Sequence, residues 1–274
     1  MPLGLHERVL RALRQSEAGT SAGGTPRESA AGPTASLLQG LSPENLEFLL
    51  SHSRIADYAP LQEIAAQGEP VRNLFLILEG QVKTTRSNDD GQEATIRLLR
   101  PGETLMDAVI FMGSPSPVSA QTMEASSLLL IPADTVRRHV LKDPQFATNM
   151  LRIVTTHYKH AMQQIDAIVT KTPVERLGYY LLKQHLEQGV ERLELDLPFQ
   201  KSVIANQLGM TPETFSRALA QIRKLGIDVD QKHIHLKDTY ALCHFCDWET
   251  FNSCSRNQDS ECPNTDHCRA HGRC

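Results

Sequence analysis

The sequence predicts an α+β protein made of an antiparallel β-roll, a long helix, a C-terminal winged helix-turn-helix and a cysteine-rich tail. Three observations lead to this prediction. Short apolar runs separated by glycine-containing turns continue up to residue 131, as in a roll of antiparallel strands. Apolar residues then keep a helical spacing from Pro144 to about Val169. A short helix, a glycine and a capped second helix lie between Phe199 and Gly226.

Composition narrows the class of protein. The chain has 274 residues, enough for two modest domains with appendages, and its net charge of −4 gives no chain-wide attraction to nucleic acid. No apolar run approaches the ~20 residues of a membrane helix, and the N-terminus lacks the apolar core of a signal peptide. We therefore expect a cytoplasmic protein with no membrane partner.

Five segments are predicted along the chain. The first is a flexible tail over residues 1–36, which is rich in Ser, Gly, Ala and Pro. The β-roll, the long helix, the winged helix-turn-helix and the cysteine-rich tail then occupy residues 37–142, 143–169, 170–240 and 241–274.

The β-roll is predicted from its strands and turns. A helix begins at Ser42-Pro43-Glu44, and the polar turn Asn88-Asp89-Asp90-Gly91 joins two strands. The predicted strands cover residues 74–79, 81–85, 94–99, 119–123 and 128–131.

The long helix is predicted to pair two copies of the chain. Asp143-Pro144 begins it, and its 26 or so residues would span roughly 40 Å. The predicted seam for a parallel partner helix follows spacings of three and four residues and consists of Phe146, Met150, Ile153, His157, Ala161, Ile165 and Ile168. A helix packed into the core of a monomer is the alternative.

The winged helix-turn-helix has clear helix boundaries. Thr172 to Glu175 form a capping box, and Gly209 stands where a left-handed turn residue is required. Thr211 is a natural N-cap for the second helix, and Pro212 fits its first position. Residues 227–236 are predicted to form a β-hairpin wing.

The second helix carries side chains suited to reading DNA. Arginine matches the two major-groove acceptors of guanine, and glutamate accepts from the amino group of cytosine. The predicted DNA-binding residues are Lys201, Thr211, Glu213, Thr214, Ser216, Arg217 and Arg223. The alternative is an amphipathic helix whose polar face is only solvated.

The stretch IANQLGMTPETFSRALAQIRKLG strongly resembles the helix-turn-helix of bacterial Crp/Fnr-type transcription regulators. In the Fnr-like branch the recognition helix carries Glu-x-x-Ser-Arg, matched here by Glu213, Ser216 and Arg217. The cyclic-AMP-receptor branch has arginine before that glutamate, whereas this chain has Pro212. The resemblance implies a homodimeric regulator that binds double-stranded DNA at an inverted repeat like TTGAT…ATCAA and contacts RNA polymerase.

The segments LFLILEGQVK and RLLRPGETL resemble the cyclic-nucleotide-binding-like β-roll of the same family. The nucleotide clamp corresponds to Met106-Asp107-Ala108 and to residues 116–119, and no arginine or lysine lies between Arg100 and Arg137. A buried phosphate would therefore lack a cation, and we do not expect cyclic-nucleotide binding.

The sequence FMGSPSPVSAQT is closer to the nitric-oxide and low-oxygen regulators of the family, some of which use haem. Haem binding through His157 or His160 is possible on this resemblance. Histidines on the surface or seam of the long helix are the alternative.

All six cysteines lie in the last 32 residues, at Cys243, Cys246, Cys254, Cys262, Cys268 and Cys274. Cys243-x-x-Cys246 can chelate one ion from a single turn, and we predict an iron–sulfur cluster or zinc held by the cysteines. A thiol redox switch or an inert tail is the alternative. His244, His267 and His271 are additional candidate ligands.

These observations predict a transcription regulator that responds to oxygen, nitric oxide or redox state, and not an enzyme. A redox or electron-transfer protein that uses the cysteine cluster is the rival hypothesis. A third possibility is a ligand-binding module that no longer binds DNA.

Overall fold

The structure is a computed structural model that describes Val9 and residues 37–230, 232–247, 250, 251 and 254. The chain divides into two compact units, Met1–Ala161 and Met162–Cys274. The predicted N-terminal tail lies outside the described residues except for Val9. In the part of the chain that the structure describes, no helix is both long and apolar enough to cross a membrane.

The first unit contains the β-roll. Helix α1 (Pro43–Ser51) is followed by β1 (Arg54–Tyr58), β2 (Glu63–Ala65), β3 (Asn73–Glu79), β4 (Val82–Ser87), β5 (Glu93–Leu99), β6 (Thr104–Leu105), α2 (Val109–Met112), β7 (Ser119–Thr122), β8 (Ser126–Pro132), α3 (Ala133–Val140) and α4 (Pro144–Thr170). The sequence identified β3, β4, β5, β7 and β8. It missed β1, β2, β6, α2 and α3, which are short or lack a clear apolar period.

The strands form two four-stranded sheets in the orders β1-β8-β3-β6 and β2-β7-β4-β5, and all their pairings are antiparallel. Strands β3 and β8 supply most of the core because each is a nearly continuous apolar run that is buried along its length. Strand β4 is joined to β5 through the predicted turn, where the N–H of Gly91 donates to Asn88 O at 3.0 Å. The predicted α+β class with an antiparallel roll is confirmed.

Helix α4 begins where the sequence predicted. The Asp143 carboxylate accepts from the backbone N–H groups of Gln145 and Phe146 at 2.9 and 3.2 Å, so it satisfies two donors at the helix start. The predicted seam is wrong in its first half. Phe146, Met150 and Ile153 are buried in the core of their own unit, because the apolar side of α4 covers the sheets there.

A different face of α4 exposes apolar side chains. Leu151 and Tyr158 are 66% and 68% exposed, and Met162, Ile165 and Val169 are 48%, 56% and 77% exposed. Their spacings of seven, four, three and four residues place them along one stripe of the helix. We call these five residues the α4 stripe.

The second unit contains α5 (Pro173–Gln188), β9 (Glu194–Asp196), α6 (Lys201–Gln207), α7 (Pro212–Arg223), β10 (Ile227–Asp230), β11 (His233–Leu236) and a 3₁₀ turn (Cys243–Phe245). The predicted capping box is present. The Thr172 side chain accepts from the backbone N–H of Glu175, and the Glu175 carboxylate accepts from the backbone N–H of Thr172. Helix α5 packs against α7, and α7 packs against β10.

The wing has three strands. Strand β11 pairs with β10 on one side and with β9 on the other, both antiparallel. The predicted hairpin accounts for β10 and β11. Strand β9 was missed because its three residues, Glu194 to Asp196, place only Leu195 in the core.

A buried group of charged side chains joins α4 to the sheets of the first unit. Asp107, 3% exposed, accepts from Thr104 Oγ1 at 2.7 Å and lies 3.1 Å from Nδ1 of His157. Arg97 Nη2 is 2.7 Å from Nε2 of the same histidine, and Arg97 Nη1 is 4.0 Å from the Asp107 carboxylate. A guanidinium only donates, so Nε2 accepts and the His157 proton lies on Nδ1, facing Asp107.

The partners of Asp107 favour its ionised form. Burial alone raises the pKa of this carboxyl group, but the hydrogen bond from His157, the nearby charges and the hydrogen bond from Thr104 outweigh burial. The net pKa of Asp107 is therefore below its usual value. A depressed folded-state pKa stabilises the fold above the unfolded value of about 3.9, and this contribution is lost as pH falls through the folded pKa.

We predict that Asp107→Asn lowers the free energy of unfolding by about 1–3 kcal/mol at pH 7, because Arg97 and His157 lose their anionic partner. The difference between the two proteins should shrink as pH falls below about 4, because the carboxylate then binds a proton in the unfolded chain before it does so in the folded protein. Urea unfolding of both proteins at several pH values measures this difference in the free energy of unfolding. Asp134→Asn is the control, since this side chain is 83% exposed and pairs only with Arg137 in a surface ion pair. An equal effect of the two substitutions at pH 7 would contradict the prediction.

Candidate nucleic-acid interface

The turn between α6 and α7 is closed by backbone hydrogen bonds. Gly209 has φ of +64°, as the predicted left-handed turn requires. The N–H of Met210 donates to Ala205 O at 2.9 Å, and Met210 is itself buried. This closure turns the chain directly from α6 into α7.

Helix α5 supports the turn with a contact that the sequence did not reveal. Arg176 Nη1 donates to Leu208 O at 2.7 Å, next to Gly209. A side chain at Gly209 would meet the same guanidinium at 3.4 Å. The turn is therefore held by a residue more than thirty positions earlier, and no local pattern marks Arg176 for this task.

Helix α7 begins with the predicted cap. The Thr211 hydroxyl accepts from the Thr214 backbone N–H at 3.2 Å, and Pro212 occupies the first turn. Phe215, Ala218 and Ile222 are buried, so the helix is anchored along one side. Leu219, on the same side, is half-buried.

The opposite side of α7 presents the polar residues. Glu213, Ser216 and Arg217 are all exposed near its N-terminal end. The backbone N–H groups at the helix start and the Thr211 hydroxyl hold the pKa of Glu213 below its usual value, so it is ionised at neutral pH. Ser216 Oγ donates to Pro212 O at 2.8 Å.

Two of the predicted DNA-binding residues contact the wing. Arg223 Nε donates to Asp228 at 2.7 Å, and Lys201 Nζ donates to Val229 O at 3.1 Å. Both contacts bring these cations to β10. The structure therefore groups Thr211, Glu213, Thr214, Ser216 and Arg217 at the start of α7 and places Lys201 and Arg223 beside the wing.

A second arrangement in this unit concerns the cysteines. Cys246 N–H donates to Cys243 O at 3.1 Å across the 3₁₀ turn. Cys243, Cys246 and Cys254 line one small pocket together with Leu182 and His185 of α5. We call it the cysteine pocket. Cys262, Cys268 and Cys274, like His267 and His271, lie outside the described residues.

The cysteine segment is docked on α5. A Cβ on Gly178 would overlap the ring of Phe245, so only glycine allows this close packing. Lys171 Nζ lies 3.9 Å from the Asp247 carboxylate, and the Asp247 side chain accepts from Thr250 N–H at 2.9 Å. The segment after the wing thus lies on the first helix of the DNA-binding unit.

The donor chemistry of the cysteine pocket fits a thiophilic metal, since thiolates bind zinc and iron–sulfur clusters. The described residues do not by themselves form a finished site. Among them, no three His, Cys, Asp or Glu side chains are close enough to hold one ion.

The segment predicted to correspond to a nucleotide clamp lies in the first unit. Met106 has φ of +66°, and Ser116 Oγ donates to Val118 O at 2.7 Å. The sequence located no cation here, but Arg97 reaches Asp107 from the neighbouring strand β5. The sequence missed this contact because Arg97 lies ten positions before Asp107.

The haem hypothesis gains no support from His157. Both of its ring nitrogens already face partners, Asp107 on one side and Arg97 on the other. Iron ligation needs an open ring nitrogen, so this histidine does not fit that task.

Comparisons with known proteins agree with this architecture. The family model of the cyclic nucleotide-binding domain matches residues 56–143, and that of the Crp-like helix-turn-helix domain matches residues 175–245. The chain is 30% identical over 186 residues to the anaerobic regulatory protein of Pasteurella multocida, covering 66% of this chain and 67% of that protein.

It is also 25% identical over 213 residues to the CRP-like cAMP-activated global transcriptional regulator of Mycobacterium tuberculosis, which covers 76% of this chain and 95% of that protein. Among solved structures, FixK2 from Bradyrhizobium japonicum has a TM-score of 0.63 at 22% identity, over 70% of this chain and 96% of that chain. This last similarity concerns the fold.

The predicted DNA-binding fold, the antiparallel β-roll and these relatives all indicate a regulator of transcription and not an enzyme. The chain belongs to the Crp/Fnr family of DNA-binding transcription regulators.

Proposed function

We propose that this regulator binds, as a homodimer, an inverted DNA repeat resembling TTGAT…ATCAA, and that it responds to oxygen, nitric oxide or redox state. Contact with RNA polymerase is part of the same proposal. The observation that carries it is the exposed group Glu213, Ser216 and Arg217 at the start of α7. A recognition helix reads the major groove with its N-terminal residues.

The contacts that hold α7 in place favour a helix whose polar side chains contact DNA bases over one whose polar face is only solvated. Thr211 caps the helix, Arg176 holds the preceding turn, and three apolar residues fix the buried side. The exposed side chains therefore project from a rigid element, as specific recognition requires.

We predict that Arg217→Ala weakens binding to the TTGAT-type repeat by about 1–3 kcal/mol and reduces discrimination at the guanine position, because a bidentate contact is lost. Fluorescence anisotropy with the repeat and with guanine-substituted duplexes at one fixed salt concentration measures both effects. The control is Arg192→Ala, which removes the same charge from an exposed position outside the recognition helix. Full affinity and discrimination in Arg217→Ala would contradict the docking proposal.

The α4 stripe supports the dimer. Two recognition helices are needed for a palindromic site, and their separation must match about one turn of DNA. The five exposed apolar residues of the stripe have the spacing of a coiled-coil seam. This seam replaces the one predicted from the sequence, whose first three residues are buried in their own unit.

We predict that Tyr158→Glu raises the dimer dissociation constant at least ~10-fold, because a charge is placed in the apolar seam. Analytical ultracentrifugation over a range of protein concentrations measures it. Lys159→Glu is the control; it makes a larger change of charge at the neighbouring exposed position, off the stripe. A dimer unaffected by Tyr158→Glu would show that another surface pairs the protomers.

A signal other than cyclic AMP is supported by the charged group at Asp107. Arg97, which could otherwise serve a phosphate, is engaged by Asp107 and His157. The buried carboxylate also repels an anion at this point. The name of the Pasteurella relative, an anaerobic regulatory protein, supports a response linked to oxygen.

The cysteine tail is proposed to hold an iron–sulfur cluster or zinc. Cys243 and Cys246 would both be ligands, with at least two of Cys254, Cys262, Cys268 and Cys274. Support comes from the cysteine pocket, which three thiols line together with apolar side chains. Bound metal would crosslink the tail and order it.

We predict that Cys243→Ser with Cys246→Ser abolishes stoichiometric metal binding, because two of the proposed ligands are lost, and leaves the first unit folded, because neither cysteine lies in that unit. Elemental analysis and the visible spectrum of anaerobically purified protein measure the metal, and circular dichroism measures the fold. The double variant His233→Ala, His235→Ala is the control, since it removes two exposed imidazoles from the wing. Wild-type protein without metal would overturn the proposal and favour a thiol switch.

A further inference from the structure

We infer that His185 of α5 is a ligand of the cysteine-tail metal centre, together with Cys243, Cys246 and Cys254. This inference rests on the metal centre proposed above and specifies it: one thiolate of the proposed set is replaced by an imidazole from the DNA-binding unit. No local sequence pattern points to His185 as a ligand, because it lies 58 residues before Cys243 within an amphipathic helix.

The position of His185 is unusual for a histidine. Its side chain lies in the interior of the unit at 2% exposure, on the same side of α5 as the buried Leu181 and Leu182. It lines the cysteine pocket, where the surrounding side chains include Leu182, Leu186 and Val190. An imidazole in such apolar surroundings needs a specific interaction to offset its desolvation.

One hydrogen bond decides which ring nitrogen is basic. His185 Nε2 lies 3.2 Å from Thr239 O. A carbonyl oxygen only accepts, so Nε2 carries the proton and Nδ1 carries the lone pair. Metal-binding histidines typically donate their second ring N–H to a backbone carbonyl or a carboxylate, because this fixes the ring and raises the basicity of the ligating nitrogen. His185 has this arrangement.

The donor set is chemically coherent. Three thiolates and one imidazole form the Cys₃His set of structural zinc sites, and the same donors suit other thiophilic divalent ions. The described side chains must close in on the ion, since no three of them are near enough to hold one as they stand. Such closure on binding is usual where metal binding and folding are coupled.

The location of His185 on α5 would couple metal binding to the helix that packs against the recognition helix. A metal held by His185 and the cysteines joins α5 to the segment after the wing. Helix α5 also contacts the helix-turn-helix through Arg176 and Leu208 O, and it packs against α7. Gain or loss of the metal would therefore act on the helix that supports the recognition helix.

Cobalt titration of the full-length metal-free protein, kept reduced and anaerobic, tests the ligand set. Co²⁺ reports its ligands through visible absorption, and competition with Zn²⁺ gives the affinity. The wild type should give thiolate-to-cobalt charge-transfer bands with ligand-field bands of a three-sulfur, one-nitrogen site. His185→Ala should weaken binding by ~10-fold or more.

His185→Cys should retain the ion and shift the ligand-field bands toward those of a four-sulfur site. The control is His233→Ala, which removes an exposed imidazole from the wing and should keep the wild-type affinity and spectrum. Thermal unfolding of each metal-free variant shows whether the packing of α5 is preserved.

The outcomes distinguish whether the metal centre exists from whether His185 is one of its ligands. A wild type that binds neither Co²⁺ nor Zn²⁺ overturns the metal centre itself. A wild type that binds them, with His185→Ala and His185→Cys unchanged in affinity and spectrum, keeps the metal centre and overturns the assignment of His185. In that case a lower melting temperature of metal-free His185→Ala identifies His185 as a packing residue bonded to Thr239.

Discussion

The packing of helix α5 is the constraint on which the DNA-binding unit depends. One of its side chains, Arg176, holds the carbonyl of Leu208 in the turn before the recognition helix. Another position, Gly178, leaves the space that the ring of Phe245 fills. His185 reaches the pocket that three cysteines share. A single helix therefore supports the DNA-reading element on one side and the cysteine segment on another.

This arrangement explains how a tail after the wing can matter for DNA binding. Helices in small domains owe most of their stability to the packing of their apolar face. A change in the cysteine segment alters what covers α5, and α5 in turn covers α7. The physical route from the cysteine segment to the recognition helix runs through α5, by contacts within one unit.

In the first unit, contacts among buried charged side chains have a comparable structural role. Asp107, Arg97 and His157 satisfy one another, and Asp107 lies in the segment that the sequence predicted to correspond to a nucleotide clamp. A buried ion pair with good hydrogen bonds resists replacement, because separating its members leaves a charge in a poorly solvated place. The same contacts attach α4 to the sheets, while a different face of α4 exposes its apolar stripe.

Local chemistry in the sequence was enough to determine the helix caps at Thr172 and Thr211, the glycine turn at Gly209 and the polar face of α7. Each depends on neighbours within four residues, and each was confirmed. The antiparallel roll was also predictable, because short apolar runs separated by glycine-containing turns leave no room for the long crossover connections that a parallel sheet needs. Tertiary structure alone decided which side of α4 is buried, since both sides carry apolar residues at helical spacing and only contact with the sheets separates them. It also decided the partners of Arg97, Arg176 and His185, because these contacts join residues that are distant in sequence or on different elements and depend on how those elements pack.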